Sequence, residues 1–594
     1  MRKITLRVKT RNMEEFEEIA KFASENGITH IVVSEIEKSI WQWNKDRSDP
    51  YPSWQLYFPT IFKLVVPEKL KKYLPADYAQ KNFETLQKRC EILKKYGLKA
   101  AYMGSEPGYL PEEVYRDHPQ WRGARCDQTR RARKPYYAPC VDNPEVREMY
   151  EEAILKLCKA APIEYFRFHT NDCGSGLCWS SHLYPGPNGP SGCKERGAAK
   201  HAIGFLELVR DTAKKAGLNA EVGFQGLFFD DERIAISSQL KENMFCVDCY
   251  GDTGGKPFAS HFIGEWFDSS STYPLQDISG ILKFGYAFLK AASNPEENLY
   301  ISLPSVENKA LISFIGREVK NPDTNVVEMF ETLKDIAAEF IGESFASRLV
   351  NIWNYIYSAE NNMSYLEHGG NIIFLGIVHQ RWLVRPLVPF PEELTAQEKA
   401  YYRQFQFQAR SEEEAEDLLN LQATRWLDGN GGHFLIKKTV AKSKVELDMA
   451  IYEIKELLKG YKGDKENYLL TLADRLEMFK CILTTIDNVV HYQTTLDGTD
   501  KLTPPTDVST IHTDQGDIRI RTMMEITRSE VDNCYKMISI LNKNPKNILQ
   551  LEDNTEEENI FSYSVNIIDN LYKKIEIMLD KAPELNRLYA TFNI

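Results

Sequence analysis

The sequence predicts an α/β protein in which a (β/α)8 TIM-like barrel with long βα loops occupies residues 1–390 and an all-α domain occupies residues 391–594. Strand-like and helix-like segments alternate through the first 380 residues, as in repeated βα units, and the pattern becomes helical beyond Pro391. A doubly wound sheet is the alternative fold. It is disfavoured because no glycine-rich phosphate-binding turn follows the first predicted strand.

Eight strands are expected from short apolar runs bounded by turn residues. They lie at residues 4–10, 28–35, 98–106, 163–172, 219–228, 244–252, 298–307 and 371–379. Alternation along two of them predicts which face is buried: Leu6 alternates with Arg7, and Phe168 alternates with Arg167. We expect the apolar set to face the surrounding helices and the polar set to face the barrel interior.

The helices are predicted from caps and periodic apolar positions. Asn143 followed by Pro144 opens one helix, and Thr395 precedes Glu398 in a capping box that opens the helical domain. Apolar stripes at helical spacing mark two further helices, at Leu447, Ile451, Ile454 and Leu458 and at Ile568, Leu571, Ile575 and Met578. Residues 496–517 are predicted to be a long turn-rich loop.

Composition limits the class of partner. A net charge of −12 disfavours nucleic acid, whose phosphates need a basic surface, and no apolar run reaches the roughly 20 residues of a membrane helix. The opening residues lack the apolar core of a signal peptide, so a cytoplasmic location is expected. A chain whose signal had been removed would look the same, so a periplasmic or secreted location stays open. The sequence does not predict an oligomeric state.

The cysteines crowd between Cys126 and Cys249. Cys173, Cys178 and Cys193 have a spacing that matches no zinc pattern, so we expect ordinary thiols, with a disulfide or a metal site as alternatives. No metal and no cofactor is assigned.

In a βα barrel the functional face lies at the carboxyl ends of the strands. The polar residues expected there are Glu35, Glu106, His169, Asn171, Asp172, Gln225, Asp248, Tyr250 and Glu307. Carboxylates dominate this set. Cleavage of a glycosidic bond needs a carboxylic acid that protonates the leaving oxygen, and a second carboxylate or a substrate amide that stabilises the sugar cation.

The fourth-strand ending "FHTND", the aromatic and acidic ends of later strands and the helical domain after the barrel resemble barrel glycoside hydrolases, particularly the hexosaminidase-type families. The resemblance implies a general acid at Asp172, the second member of a pair whose first member is Asn171. The common pair in those families is Asp-Glu, so Asn-Asp departs from it. A two-carboxylate retaining scheme therefore stays open, with Asp172 as acid after Asn171 and Glu307 as nucleophile after the predicted seventh strand.

The remaining candidates are expected to bind a carbohydrate substrate. They are His169, Asn171, Trp179, Tyr184, Asp248, Tyr250 and Arg125. Trp179 and Tyr184 lie in the long loop after the fourth strand, where flat rings suit the apolar faces of a sugar, although a structural flap is the alternative. Arg125 belongs to an arginine-rich third loop that fits an acidic glycan or, alternatively, a solvated surface.

The sequence thus predicts a glycosidase without a cofactor. Two other functions stay open: a glycan-binding barrel without catalysis, and a barrel lyase or isomerase acting on sugars. A metal-dependent isomerase is disfavoured because few histidines, among them His30, His169 and His379, are available at strand ends.

Overall fold

The structure is a computed structural model that describes residues 2–10, 12–36, 59–126, 137–171, 175–179, 192–226, 228–248, 260–264, 275, 278, 280–303, 306–368, 382–403, 432–500, 513–549, 551–552 and 563–592. Three of the candidate site residues, Asp172, Tyr184 and Tyr250, lie outside these residues. The predicted strand at residues 371–379 lies outside them as well.

Eight parallel strands form one curled sheet. They are β1 (Ile4–Val8), β2 (His30–Val32), β3 (Lys99–Ser105), β4 (Ile163–Thr170), β5 (Glu221–Gly226), β6 (Met244–Asp248), β7 (Ser260–Gly264) and β8 (Asn298–Leu303). The order across the sheet is β6-β5-β4-β3-β2-β1-β8-β7. Successive strands are therefore neighbours, as in a (β/α)8 barrel, and β1 pairs with β8. Within the described residues no ladder joins β6 to β7, so the barrel is not closed.

The prediction of the seventh strand was wrong. β7 is Ser260–Gly264, and the segment counted as seventh, which contains Asn298–Leu303, is the eighth strand. β7 was missed because it has only five residues and follows a stretch rich in glycine, "GDTGGKPFA", that predicts a turn rather than a strand. Glu307 consequently follows β8 rather than the seventh strand.

The predicted faces of the strands are confirmed. On the outer face, the Phe168 ring packs 5.7 Å from Phe205 of the helix Cys193–Lys215. On the inner face, the guanidinium of Arg167 on β4 lies 4.2 Å from the ring centre of Tyr300 on β8. β4 and β8 are far apart in the order of the sheet, so this contact shows how strongly the sheet curls.

A glycine on β5 makes room inside the sheet. Tyr165 on β4 and Phe245 on β6 stack with their ring centres 5.2 Å apart, across the strand that carries Gly223. A Cβ atom at Gly223 would lie 2.2 Å from the Phe245 ring, so any larger residue would displace that ring.

The helices cover the sheet and form the second half of the chain. Their bounds are Met13–Glu25, Ala76–Lys95, Glu112–Asp117, Pro144–Ala160, Cys193–Lys215, Asp230–Gln239, Ile281–Ala292, Lys309–Lys320, Val326–Ile341, Glu343–His368, Ala396–Arg403, Gly432–Gly460, Glu466–Asp500, Thr513–Leu541, Pro545–Ile548 and Ile567–Lys581. Short 3-10 segments lie at Ile61–Lys63, Glu68–Leu70, Pro119–Trp121, Pro391–Glu393 and Ala582–Phe592. An antiparallel pair joins Arg122–Arg125 to Tyr137–Pro139, and a parallel pair joins Leu551–Glu552 to Tyr563–Ser564.

The two predicted caps are confirmed. The Asn143 side chain accepts from the backbone N–H groups of Glu145 and Val146, with Pro144 as the first helical residue. In the capping box, the Thr395 hydroxyl accepts from the Glu398 N–H at 3.2 Å, and the Glu398 carboxylate accepts from the Thr395 N–H at 2.7 Å. Each cap satisfies backbone donors that the helix itself leaves without acceptors.

Contacts divide the chain into two compact units, Met1–Glu265 with Phe284–Met329, and Trp266–Lys283 with Phe330–Ile594. The domain boundary at residue 390 stays a prediction. In the second unit, the helix Glu343–His368 packs on Gly432–Gly460, which packs on Glu466–Asp500. The predicted loop at residues 496–517 is too long, because helices extend to Asp500 and begin again at Thr513. Among the described residues, no helix has the length and apolar character needed to cross a membrane.

A fully buried ion pair lies in the second unit. Lys574 donates to Glu530 at 2.5 Å, and neither side chain is exposed. Glu530 also accepts from Thr485 at 2.7 Å and from Asn488 at 2.8 Å, and Lys574 donates to the Leu383 carbonyl at 2.9 Å. These hydrogen bonds offset the desolvation of both charges and tie separate helices to one another.

Replacing Lys574 by methionine should lower the free energy of unfolding of the second unit by about 3–5 kcal/mol, because it leaves Glu530 charged and buried without its cation. Urea titration followed by circular dichroism measures the change. The matched control is Lys573→Met, which removes the half-exposed pair with Glu576 and should cost about 1 kcal/mol or less. The double variant Lys574→Met with Glu530→Gln should recover part of the loss. A Lys574→Met variant as stable as the control would contradict this account.

Candidate functional site

The inner face of the sheet carries a buried ion pair near the carboxyl ends of β1 and β2. Arg7 donates through Nε to Glu35 Oε2 at 2.6 Å and through Nη2 to Oε1 at 2.8 Å. Both side chains are buried, and the Glu35 carbonyl accepts from Arg89 at 2.7 Å. Both carboxylate oxygens of Glu35 are engaged by one guanidinium, so this strand-end carboxylate is part of the scaffold.

A second buried guanidinium occupies the middle of the same face. Arg167 Nε donates to Gln225 Oε1 at 2.7 Å, and the guanidinium lies against the Tyr300 ring. Among the described residues, no carboxylate lies within ion-pair distance of Arg167. The contact orients Gln225 so that its amide group is held at the end of β5, level with His169 of β4.

Glu106, another strand-end carboxylate, is completely buried. Its oxygens accept from the Ile61 N–H at 2.5 Å, the Gly108 N–H at 3.2 Å and the Tyr150 hydroxyl at 2.9 Å. Burial nevertheless raises the pKa of Glu106 to about 7, because the three donors only partly offset desolvation. Glu106 fixes the start of the third loop and is not exposed to a substrate.

The end of β4 is held in a defined conformation. His169 is buried on the inner face, and its carbonyl accepts from the Glu106 N–H at 2.9 Å. The next-but-one residue, Asn171, is buried and has a φ of 56°, in the left-handed region that few residues other than glycine adopt. Its Oδ1 accepts from the Leu177 N–H at 3.0 Å. Asn171 therefore turns the chain at the position directly before Asp172 and anchors the loop that follows.

The fourth loop is also attached to the third loop. Ser175 forms an antiparallel bridge with Gly108, and the Gly176 N–H donates to the Pro107 carbonyl at 3.1 Å. Trp179 is half-buried, with its ring centre 6.2 Å from that of Tyr137. The structure thus brings the segment 175–179 against the antiparallel pair that carries Arg125.

Some arginines of the third loop form salt bridges within the loop. Arg116 pairs with Glu113, and Arg122 pairs with Glu112 while its guanidinium lies 4.7 Å from the Tyr137 ring centre. Arg125 is half-buried at the end of the strand Arg122–Arg125. Arg130, Arg131 and Arg133 lie outside the described residues. Arg116 and Arg122 therefore form the internal salt bridges that are expected if this loop is a solvated surface.

Two further candidates are Glu307, which follows β8, and Asp248, which ends β6. Glu307 is exposed and directly precedes Asn308, the N-cap whose side chain accepts from Leu311 at the start of the helix Lys309–Lys320. Asp248 is the last residue of β6 and is paired with Gly226 of β5, and its side chain is outside the described residues. The structure does not bring Glu307 into contact with any other candidate among the described residues.

One group of potential metal ligands lies among the described residues. It consists of Cys178, Cys193 and His201, all buried. Sequence reasoning considered the two cysteines but missed His201, since the three residues belong to separate turns of the chain and follow no metal-binding spacing. The signal available was a histidine on the inward side of a helix that begins with a cysteine.

No protein-family model matches the sequence, and no curated protein matches it. Among solved structures, the chain is similar to a family 138 glycoside hydrolase that targets pectin rhamnogalacturonan II, with 11% identity and a TM-score of 0.53 over 99% of this chain and 68% of that chain. A mutant O-GlcNAc hydrolase of Thermobaculum terrenum aligns at 10% identity and a TM-score of 0.36, over 100% of this chain and 97% of that chain. A family 36 α-galactosidase of Geobacillus stearothermophilus aligns at 14% identity and a TM-score of 0.31, over 54% and 41%.

These neighbours are glycoside hydrolases. The first likeness shows a shared fold, while the other two scores are too low to support any argument. The resemblance to hexosaminidase-type families is therefore supported only as far as the fold.

Replacing Glu106 by glutamine should flatten the dependence of stability on pH. The folded pKa of about 7 lies above the ordinary 4.5, so the stability that Glu106 contributes is complete below pH 4.5 and is lost as the pH rises to about 7. The loss amounts to roughly 3 kcal/mol, at about 1.4 kcal/mol for each unit of pKa. Urea titrations at pH 4.5 and 7.5 should show a smaller fall for Glu106→Gln than for the wild type. The exposed Glu113→Gln variant should fall like the wild type, and equal falls for all three proteins would refute the assignment.

Proposed function

We propose that the protein is a glycoside hydrolase that cleaves a glycosidic bond in an oligosaccharide or glycan at the carboxyl ends of the barrel strands. The observation that carries the proposal is the fold that it shares, over 99% of its length, with a glycoside hydrolase. The polar inner ends of β4 and β5, where His169 and Gln225 lie side by side, supply groups suited to sugar hydroxyls.

Asp172 is the proposed general acid. It directly follows Asn171, whose left-handed backbone and hydrogen bond to Leu177 fix the point at which the chain leaves β4. Two other strand-end carboxylates, Glu35 and Glu106, are already committed to Arg7 and to buried donors. Of the strand-end carboxylates predicted from the sequence, this commitment leaves Asp172, Asp248 and Glu307.

The second catalytic group is proposed to be Glu307 or the amide of the substrate. The exposed position of Glu307 before a helix N-cap suits a carboxylate that complements the helix dipole, and this weakens its case as nucleophile. In the amide scheme, Asn171 and Tyr250 hold the amide while it stabilises the sugar cation. Among the sequence-predicted candidates, Asp248 at the end of β6 is another carboxylate that a two-carboxylate scheme could use.

The other proposed substrate-binding residues come from several strand ends and loops. His169 lies at the end of β4, and Asp248 at the end of β6. Trp179 and Tyr184 provide flat rings on the fourth loop, and Arg125 is the proposed contact for a carboxylate or sulfate on an acidic glycan.

A glycan-binding barrel without catalysis is the second candidate. It is favoured by the same commitment of Glu35 and Glu106 to the scaffold, which removes two carboxylates from the strand ends. A screen of aryl glycosides and oligosaccharides, including pectic fragments, with products followed by NMR, separates the two functions. Hydrolysis of at least one substrate supports the enzyme, whereas binding without hydrolysis across the screen supports the second candidate.

Asp172→Asn should lower turnover by about 10²-fold or more on substrates with poor leaving groups, because the amide cannot donate the proton that the leaving oxygen needs. Binding of the same substrate, measured by calorimetry, should stay close to that of the wild type. The control is Asp211→Asn, an exposed aspartate on the helix Cys193–Lys215. Unchanged turnover in Asp172→Asn would remove this residue from the mechanism.

Arg125→Glu should raise the Michaelis constant several-fold for glycans that carry a carboxylate or sulfate, because it replaces attraction by repulsion. Neutral glycans should be affected little. Arg116→Glu serves as the control, since Arg116 is exposed and pairs with Glu113 in the same loop. Equal effects on acidic and neutral substrates would indicate a structural role for Arg125.

A further inference from the structure

Three potential metal ligands from the fourth loop and the helix that follows it lie close together. Cys178 lies in the segment 175–179 of that loop, Cys193 is the first residue of the helix Cys193–Lys215, and His201 lies in the part of this helix that follows a kink at Gly197. All three are at most 4% exposed. One ligand atom from each can be chosen so that the three atoms lie within 4.8 Å of one another.

The His201 ring is oriented as in many metal sites. Its Nδ1 lies 2.8 Å from Asp142 Oδ2, and the histidine side chain is only 3% exposed. Its Nε2 is buried and has no hydrogen-bond partner among the described residues. A carboxylate on one ring nitrogen fixes the ring and makes the other nitrogen the ligand atom. A buried nitrogen left without a partner is unfavourable, and a bound metal would supply that partner.

Arg196 lies beside both Cys193 and Asp142. Arg196 Nη2 lies 3.6 Å from Cys193 Sγ, and Arg196 Nε lies 3.2 Å from Asp142 Oδ2. The positively charged Arg196 therefore contacts one proposed ligand and pairs with the carboxylate that orients His201. Asp142 and Arg196 also line a surface groove of about 760 Å³.

We propose that Cys178, Cys193 and His201 bind one zinc ion, with Asp142 as the positioning residue for His201. Two thiolates and one imidazole suit Zn²⁺, and the fourth position is left to water or to Cys140, two residues before Asp142. Binding replaces the thiol protons of Cys178 and Cys193, which pass to the solvent. A disulfide between the two cysteines is the competing explanation. It is disfavoured because it would leave His201 Nε2 without a partner.

The proposed ion would fasten the fourth loop to the helix that follows it. Asn171 and Gly108 hold the first part of this loop, through Leu177 and Ser175. The zinc ion would join Cys178, in the same part of the loop, to Cys193 at the start of the helix. This inference is independent of the proposed hydrolysis, because the three ligands lie on the loop and the helix rather than at the strand ends.

The test measures metal content and affinity of the full chain, purified with a reductant and then freed of metal with a chelator. The wild type should bind one equivalent of Zn²⁺ by mass spectrometry, and Co²⁺ should give the sulfur-to-cobalt absorption of a thiolate site. Cys193→Ser and His201→Gln should lose this absorption and bind Zn²⁺ at least 10-fold more weakly. Asp142→Asn keeps all three ligands and should weaken binding by about 10-fold to 100-fold. The control is Cys158→Ser, a buried cysteine of the helix Pro144–Ala160, which should bind like the wild type.

Three results would overturn the proposal. The first is that the folded wild type, checked by circular dichroism, fails to bind Zn²⁺ or Co²⁺. Alternatively, Cys193→Ser, His201→Gln and Asp142→Asn all bind as tightly as Cys158→Ser, which would place the ion elsewhere. Alternatively, peptide mapping finds Cys178 and Cys193 joined as a disulfide in the protein purified with reductant. If the ligand variants do not fold, Asp142→Asn alone decides the question, because it removes only a hydrogen-bonded carboxylate.

Discussion

The ion pair between Arg7 and Glu35 is the interaction on which the barrel interior depends. Charged groups inside a sheet are costly unless they are paired and hydrogen-bonded. The bidentate contact meets this requirement, and Arg89 adds a hydrogen bond to the Glu35 carbonyl. With this bidentate pair at the inner ends of β1 and β2, the interior can remain polar up to the carboxyl ends of the strands, where a βα barrel places its functional groups.

The same constraint determines which acidic residues can act on a substrate. Glu35 and Glu106 end their strands, yet both are buried and fully engaged, so they stabilise the scaffold. Arg167 contacts Gln225 and Tyr300, and no carboxylate among the described residues lies within ion-pair distance of it. The chain after β4 is different, since Asn171 turns it sharply and anchors it through Leu177. The proposed general acid therefore belongs to the segment that follows this turn.

Local patterns predicted the features that depend on neighbouring residues. The faces of β1 and β4 follow from strict alternation, and the caps at Asn143 and Thr395 follow from short-range chemistry, so both could be predicted. The five-residue β7 could not, since its preceding glycines dominate the local signal. The structural role of Glu106 could not be predicted either, because its hydrogen-bond donors Ile61 and Tyr150 come from distant parts of the chain. The meeting of His201 with Asp142 and two cysteines depends on the fold in the same way.

The shared fold, the polar strand ends and the anchored fourth loop support one claim: that a glycan binds at the carboxyl ends of β4 and β5. A crystal structure of the Asp172→Asn variant with a bound oligosaccharide tests this claim most directly. We predict that a sugar ring lies within hydrogen-bonding distance of His169 or Gln225, with a second ring against Trp179. A sugar bound only in the groove beside Arg196, or only on the second unit, would contradict the account.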